Sequence, residues 1–303
     1  MGMKEQAEAT TRWMIARIEE ALASGEKLNW ATGHENGLPV NFTTGKFYRG
    51  WNVFRCWMAG FERPLFAGAG QIKAAGGRVK REEWSAPTWI QLWTKRELDE
   101  IDPRTGLKRV YWYSKALKVW NVEQCDGLDE DKLARIKRPT GAESDEALDE
   151  FFGEAASADG FTVREGASAL PCYAFTVDEV RMPDRAAYHG GKRYYADLAH
   201  EFVHATGHES RLDRGLFAHG REDYSKEELV AEFGAAMLGA MLGFDGGKEA
   251  ENSAAYLRGW LRALGDDPTL LASAASAAQK AVDRIMEKAG ALAPAEADPA
   301  MAD

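Results

Sequence analysis

The sequence predicts an α+β protein: an N-terminal domain of mixed α/β structure, then a mostly helical domain with a small sheet. Three observations carry this. Short β-rich runs cluster before residue 125, while helical periodicities dominate after residue 193. Nine of the ten tryptophans lie at or before Trp120, with only Trp260 later. Charge divides at the same place: residues 1–125 hold 19 Lys+Arg and 14 Asp+Glu, a net of +5, whereas residues 126–303 hold 19 and 34, a net of −15. Halves so different in charge suit different partners. The expected organisation is a domain over 1–125, a linker or mobile segment over 126–150, a second domain over 151–290 and a disordered Ala/Pro/acid-rich tail over 291–303.

The elements follow in order. Residues 4–23 read as a helix, with Trp13, Ile15, Ile18 and Leu22 near helical spacing. Leu28–Gly50 is punctuated by Gly, Asn and Pro and reads as loop, and 51–60 as a short apolar helix. Strand-like runs follow at Trp89–Trp93, Val110–Tyr113 and Leu117–Val122, with a hairpin turn at Asp102-Pro-Arg-Thr-Gly106. Trp57, Trp89, Trp93 and Trp120 are expected in the core. In the second half Ala174–Arg181 reads as a strand closed by Pro183. Helices are predicted at about 193–206, 226–243, 250–264 and 268–289.

Composition excludes several classes. With 45% hydrophobic and 28% charged residues, the chain fits a soluble globular protein. No apolar run approaches the roughly 18 residues of a spanning helix, so no membrane partner is expected. The start lacks the apolar stretch of a secretory signal. Cys56, Cys125 and Cys172 form no Cys-x-x-Cys pair, which argues against a disulfide framework or an all-cysteine zinc site. The expected compartment is a reducing cytoplasm. Gly68-Ala-Gly70 lacks a third glycine at nucleotide-fold spacing, and there is no P-loop.

His200-Glu201-Phe202-Val203-His204 is the sharpest signal. Residues four apart share one helix face, so both imidazoles reach one metal ion. Glu201, one step round the helix, is placed as general base toward a water at the metal. A catalytic zinc needs a third protein ligand and an open position. Glu228, 24 residues after His204 on the next helix, is the expected third ligand. Glu232, one turn on, is the expected carboxylate behind a ligand histidine. Glu227 reads as a solvated helix-start residue. Gly207 reads as the C-cap of the motif helix. Ser210 stands where a metzincin would place a third histidine, so His208 reads as a capping or supporting residue. Tyr224 reads as a packed aromatic rather than an oxyanion donor. The expected chemistry is zinc-dependent hydrolysis of an amide bond, with one Zn2+ per chain and a protein or peptide substrate.

In the basic half, the loop from Asn41 to Asn52 mixes amides, hydroxyls, cations and aromatics. Lys46 and Arg49 are expected to neutralise phosphates, and Phe47, Tyr48 and Trp51 to offer faces for bases, as in single-strand binding. The predicted DNA set is Asn41, Thr44, Lys46, Tyr48, Arg49, Asn52, Arg78 and Lys80.

The chain resembles the ArdC-type antirestriction proteins of conjugative plasmids and phages, and the related N-terminal part of TraC-type plasmid primases. The resemblance runs through Leu38–Asn52, Gly76–Lys80 and Val119–Gln124, then Asp178–Pro183, Leu198–His208, Arg211–Arg214, Glu227–Glu232 and Ala255–Trp260. It implies an N-terminal single-stranded DNA-binding domain, a C-terminal zincin-like metallopeptidase domain, and a role in protecting incoming DNA. The sequence departs from the family at Arg81–Pro87, which has no glycine. Two other readings stand beside this one: a non-catalytic single-strand binder with a structural metal, and an acidic DNA mimic that occupies a restriction enzyme.

Overall fold

The computed structural model describes residues 3–24, 37–104, 106–136, 142, 144–188, 191–215, 221–244 and 270–291. The predicted helix at 250–264, the tail beyond 291, and His34, His189, His219 and Trp260 lie outside these residues, as do the side chains of Trp93 and Tyr224. The described chain is α+β, as predicted.

The first half opens with α1 (Met3–Ser24) and reaches the short β1 (Val40–Asn41), α2 (Trp51–Met58), β2 (Leu65–Ala67), α3 (Ala69–Ala74) and β3 (Arg78–Val79). A 3-10 turn at Glu82–Ser85 leads into β4 (Thr88–Ile101) and β5 (Lys108–Asn121), a long hairpin. The two runs expected at 110–113 and 117–122 are one strand, because pairing with β4 is unbroken from Thr88↔Val119 to Glu97↔Val110. The predicted turn closes through Asp102 N to Leu107 O (2.8 Å) and Gly106 N to Asp102 O (2.8 Å). The sheet order is β1-β2-β5-β4, which leaves β4 at an edge.

The stretch 126–150, expected as a linker, carries regular structure. Asp126 belongs to β6 (Cys125–Asp126), which pairs antiparallel with β3. Asp129 caps α4 (Glu130–Ala134) by accepting from Lys132 N at 3.2 Å. Leu133 of α4 is buried with Val40, Ile72 and Trp120 in a small core. Ser144 caps α5 (Asp145–Asp159), whose first turn carries Asp145 and Glu146, favourable at a helix N-terminus.

Beyond α5, β7 (Thr162–Glu165), β9 (Glu179–Met182) and β8 (Cys172–Ala174) form a three-stranded sheet in that spatial order. The strand expected over 174–181 is broken. Phe175–Val177 is a 3-10 turn, and Asp178 sits at φ +51°. Arg211 holds the Asp178 carboxylate with both terminal nitrogens, which ties this reversal to the chain beyond the motif helix. The helices α6 (Gly191–Thr206), α7 (Arg221–Leu242) and α8 (Leu270–Lys288) match the predicted ones within a few residues. No helix among the described residues is long and apolar enough to cross a membrane.

The main hydrophobic core does not stop at the boundary between the halves. It joins Ile18 of α1, Phe54 and Trp57 of α2 and Val119 of β5 to Phe202 of α6, Phe233 of α7 and Val282 of α8. Phe54 stacks on Phe233, with centroids 4.0 Å apart. Arg49 pairs with Asp283, and Gln279 Oε1 accepts from Gly50 N at 2.9 Å. Trp57 and Trp120 are buried as predicted, whereas Trp89, on the edge strand, is 46% exposed.

α6 and α7 approach each other closely at Gly234. A Cβ added at Gly234 of α7 would lie 2.5 Å from Val203 Cγ2 of α6. Glycine is needed here for proximity, since the α7 backbone runs against the motif helix. Gly234→Ala should therefore lose more to overpacking, about 1–3 kcal/mol, than it gains from helix propensity, about 1 kcal/mol. Urea unfolding should show a lower midpoint.

Candidate metal centre

The spacing of the motif sets the geometry. On α6, His200 and His204 stand one turn apart, with ring centroids 4.7 Å apart. Both are buried, as is Glu201 between them. Opposite, α7 brings Glu228 to both rings: Oε2 lies 3.6 Å from His200 Nε2, and Oε1 lies 3.3 Å from His204 Nε2. The two Nε2 atoms are 3.0 Å apart. A tetrahedral zinc with ligands at about 2.0–2.1 Å requires donor atoms about 3.3 Å from one another, so the spacing matches a zinc ligand set.

The atoms behind the rings fix which nitrogens face inward. His200 Nδ1 lies 3.1 Å from Glu232 Oε1. His204 Nδ1 lies 3.3 Å from Glu227 Oε1. Carboxylates at Nδ1 favour the tautomer protonated there, which leaves both Nε2 atoms as bare lone pairs. Two lone pairs and a carboxylate facing one another repel unless a cation sits among them. Without such a cation, protons on the rings take its place: burial alone would raise the Glu228 carboxyl, but hydrogen bonds and charge from the protonated His200 and His204 hold it well below the usual carboxylate range. For His204, burial favours the neutral ring, yet hydrogen bonds to Glu227 and Glu228 raise its pKa. The site is built to attract positive charge.

Glu227 corrects the sequence reading. It is only 1% exposed, not solvated. Arg214 donates to it through Nε (2.9 Å) and Nη2, so the pair forms a fork behind His204. Burial would raise the Glu227 carboxyl, but His204 and Arg214 lower it. Arg214 also donates to Val203 O (2.6 Å) and Thr206 Oγ1 (2.7 Å), while Arg211 Nε donates to Ala205 O (2.6 Å). The arginines therefore hold the carbonyls of Val203 and Ala205 at the end of α6, while Gly207 N donates to His204 O at 2.8 Å and closes the last turn. Gly207 has a second role. A Cβ there would meet Arg214 Nη2 at 2.7 Å, so glycine leaves room for the guanidinium. His208 stays local: its Nδ1 lies 2.8 Å from Ser210 Oγ and its ring packs near Phe175. The missed signal was Arg211-Leu-Asp-Arg214 directly after the motif helix, a cationic pair that needs buried acids.

The predicted DNA set is not brought to one surface. Asn41 is buried: its Oδ1 accepts from Thr43 N (3.0 Å) and Oγ1 (2.7 Å), and its Nδ2 donates to Gln71 (3.1 Å). Asn52 pins β4 through Gln91 O (2.7 Å) and Gln91 N (2.8 Å). Arg49 is committed to Asp283. Tyr48 is 5% exposed, edge-on to Phe66 in the core, and offers no face to a base. These residues organise the loop and join the halves, because loop aromatics here plug the core. Thr44 and Arg78 are exposed, Lys46 is half-buried, and Lys80 Nζ donates to Glu123 O at 2.7 Å. The buried Tyr48 hydroxyl has no hydrogen-bond partner among the described residues. Tyr48→Phe should therefore leave stability unchanged or raise it by up to about 1 kcal/mol, read as the thermal midpoint.

Comparison with known proteins agrees with this architecture. Residues 4–120 match the N-terminal domain of the anti-restriction factor ArdC, and residues 146–277 match a zincin-like metallopeptidase domain. The crystal structure of the antirestriction ArdC protein from plasmid R388 in its metal-free form is 34% identical, with a TM-score of 0.72 over 94% of this chain and 97% of that one. Its Mn(II)-bound form is 33% identical, with the same TM-score of 0.72, over 95% and 98%. A DNA primase TraC of Escherichia coli is 33% identical over 291 residues, 90% of this chain, which spans only 26% of that relative's length. The agreement of both halves with one solved protein over nearly its full length places this chain in the ArdC-type antirestriction family, with a zincin-like metallopeptidase domain in its second half.

Proposed function

We propose that the chain is a single-strand DNA-binding antirestriction protein whose second half, over 151–290, holds one zinc and hydrolyses peptide bonds. The observation that carries the metal reading is the inward-facing pair of Nε2 atoms with Glu228 across from them and a carboxylate behind each ring. His200, His204 and Glu228 would hold the ion. A bound zinc supplies Lewis acidity, lowering the pKa of water and polarising a carbonyl. Glu201, buried beside the ligands, takes the proton from the attacking water and returns it to the leaving amine. Glu232 and Glu227 orient the rings, and Arg214 orients Glu227. Three protein donors would leave a bound zinc open to water or substrate, as catalytic sites require.

The DNA reading is supported by the +5 balance of residues 1–125 and by the likeness to the ArdC N-terminal domain. The halves share a core, so both activities are to be tested on the intact chain. Metal-loaded protein should cleave members of an unstructured peptide library, and should bind an oligothymidylate more tightly than a duplex of the same length. A chain that binds metal and DNA but cleaves nothing would favour the non-catalytic reading. Equal affinity for duplex and single strand would overturn the preference for unpaired bases.

A further inference from the structure

A groove of about 730 Å3 opens away from the metal centre. It lies between α1, α2 and the start of β4, lined by Trp13, Arg55, Phe61, Pro87, Trp89 and Ile90 among others. Its volume is that of a small-molecule site, roughly 300–1,000 Å3, with space for unpaired bases. None of the predicted DNA residues lines it.

We propose that this groove seats unpaired bases of single-stranded DNA, with Trp89 as the stacking platform and Lys118 as the adjoining phosphate contact. The inference rests on the single-strand reading above and locates it. Trp89 is 46% exposed and lines the groove together with Trp13, itself 39% exposed, so the exposed apolar surface here is a patch rather than one ring. Lys118, its partner across the hairpin, holds Nζ 5.0 Å from the Trp89 ring centroid, and its own side chain is exposed. An aromatic face with a cation beside it is the recurring unit of sequence-tolerant single-strand binding. Glu83, the acid that lines the groove, is engaged through Oε2 by Gln124 Nε2 at 2.9 Å.

A second exposed indole lies five residues earlier in the sequence. Trp84 is 56% exposed and stacks on the buried Trp120 at 5.0 Å and 11°, which holds its outer face open. It lies in Arg81–Pro87, the segment where the sequence departs from the family, and that segment also carries Arg81. An exposed indole with a lysine over its ring fits a strand of bases better than an apolar peptide, which has no use for the cation. A duplex keeps its base faces inside the stack and gains nothing from either ring.

The test uses the intact, metal-loaded chain and a fluorescein-labelled oligothymidylate read by anisotropy. Trp89→Ala should weaken binding about 10-fold, and Trp89→Phe, which keeps a stacking face, should restore most of it. Lys118→Ala should lower the salt slope by about one counterion. An oligomer carrying 5-iodouracil should photocrosslink to the peptide that contains Trp84 or Trp89. Wild-type affinity in Trp89→Ala, or crosslinks confined to other peptides, would overturn the site while leaving single-strand binding in place. Absence of any binding by the wild-type chain would overturn the DNA reading itself. Displacement of the oligomer from the groove by an apolar peptide at lower concentration than by free oligothymidylate would assign the groove to a peptide instead.

Discussion

Glu227→Ala is expected to be the most damaging single substitution in the second half. It removes a buried carboxylate and strands the Arg214 guanidinium, itself buried, against the carbonyls that end α6. Breaking a buried pair by deleting one partner typically costs about 3–5 kcal/mol, because the remaining charge has neither water nor counter-ion. The same change removes the acceptor behind His204 Nδ1, so zinc affinity should fall by about 10- to 100-fold. The two losses separate in a double variant. Glu227→Ala with Arg214→Met no longer leaves a charge uncompensated and should recover much of the stability, while the zinc affinity stays low. Urea unfolding and competition with a zinc-binding dye measure the two quantities. Recovery of both together would mean that Glu227 acts only through the fold.

Glu201→Gln carries the largest expected effect on activity. The glutamine keeps the volume and polarity of the side chain, and the site keeps its three ligands, so zinc should remain near one per chain. It cannot accept the proton from water at neutral pH. Cleavage should fall by at least about 100-fold, the lower range for loss of a positioned general base. His200→Ala should behave differently, losing metal and cleavage together. If Glu201→Gln loses metal as well, Glu201 is a ligand rather than a base, and the assignment of Glu228 falls with it.

The metal site was legible in the sequence because its information is local. The His-Glu-x-x-His spacing, the helical period around it and the Glu228–Glu232 step each survive without knowledge of distant partners. Glu227 was not legible for the same reason. With Glu228 facing the motif, its neighbour Glu227 looks solvated, and only the close packing of α7 on α6 at Gly234 and the partner Arg214 reveal it as buried. The loop at 41–52 failed differently. Its aromatic and basic composition suits a DNA surface and a core plug equally well, and the residues that decide between them are far away in sequence: Asp283 for Arg49, Phe66 for Tyr48. Trp89 was expected in the core from residue type alone. Whether an indole in an edge strand is covered depends on what packs over the sheet, which periodicity does not report. The strand expected at 174–181 reads as continuous by composition, yet Asp178 reverses it because Arg211, some thirty residues later, holds its carboxylate.

The most direct measurement is the metal content of the intact chain after exhaustive dialysis against zinc-buffered solution, compared with the His200→Ala/His204→Ala double variant. Inductively coupled plasma mass spectrometry reads the stoichiometry. The wild-type chain should retain about one zinc, Glu228→Ala should bind at least about 10-fold more weakly, and the double variant should retain none. Stoichiometric zinc in the double variant would contradict the site. Loss of metal in Glu232→Ala with retention in Glu228→Ala would place the third ligand one helical turn further along α7.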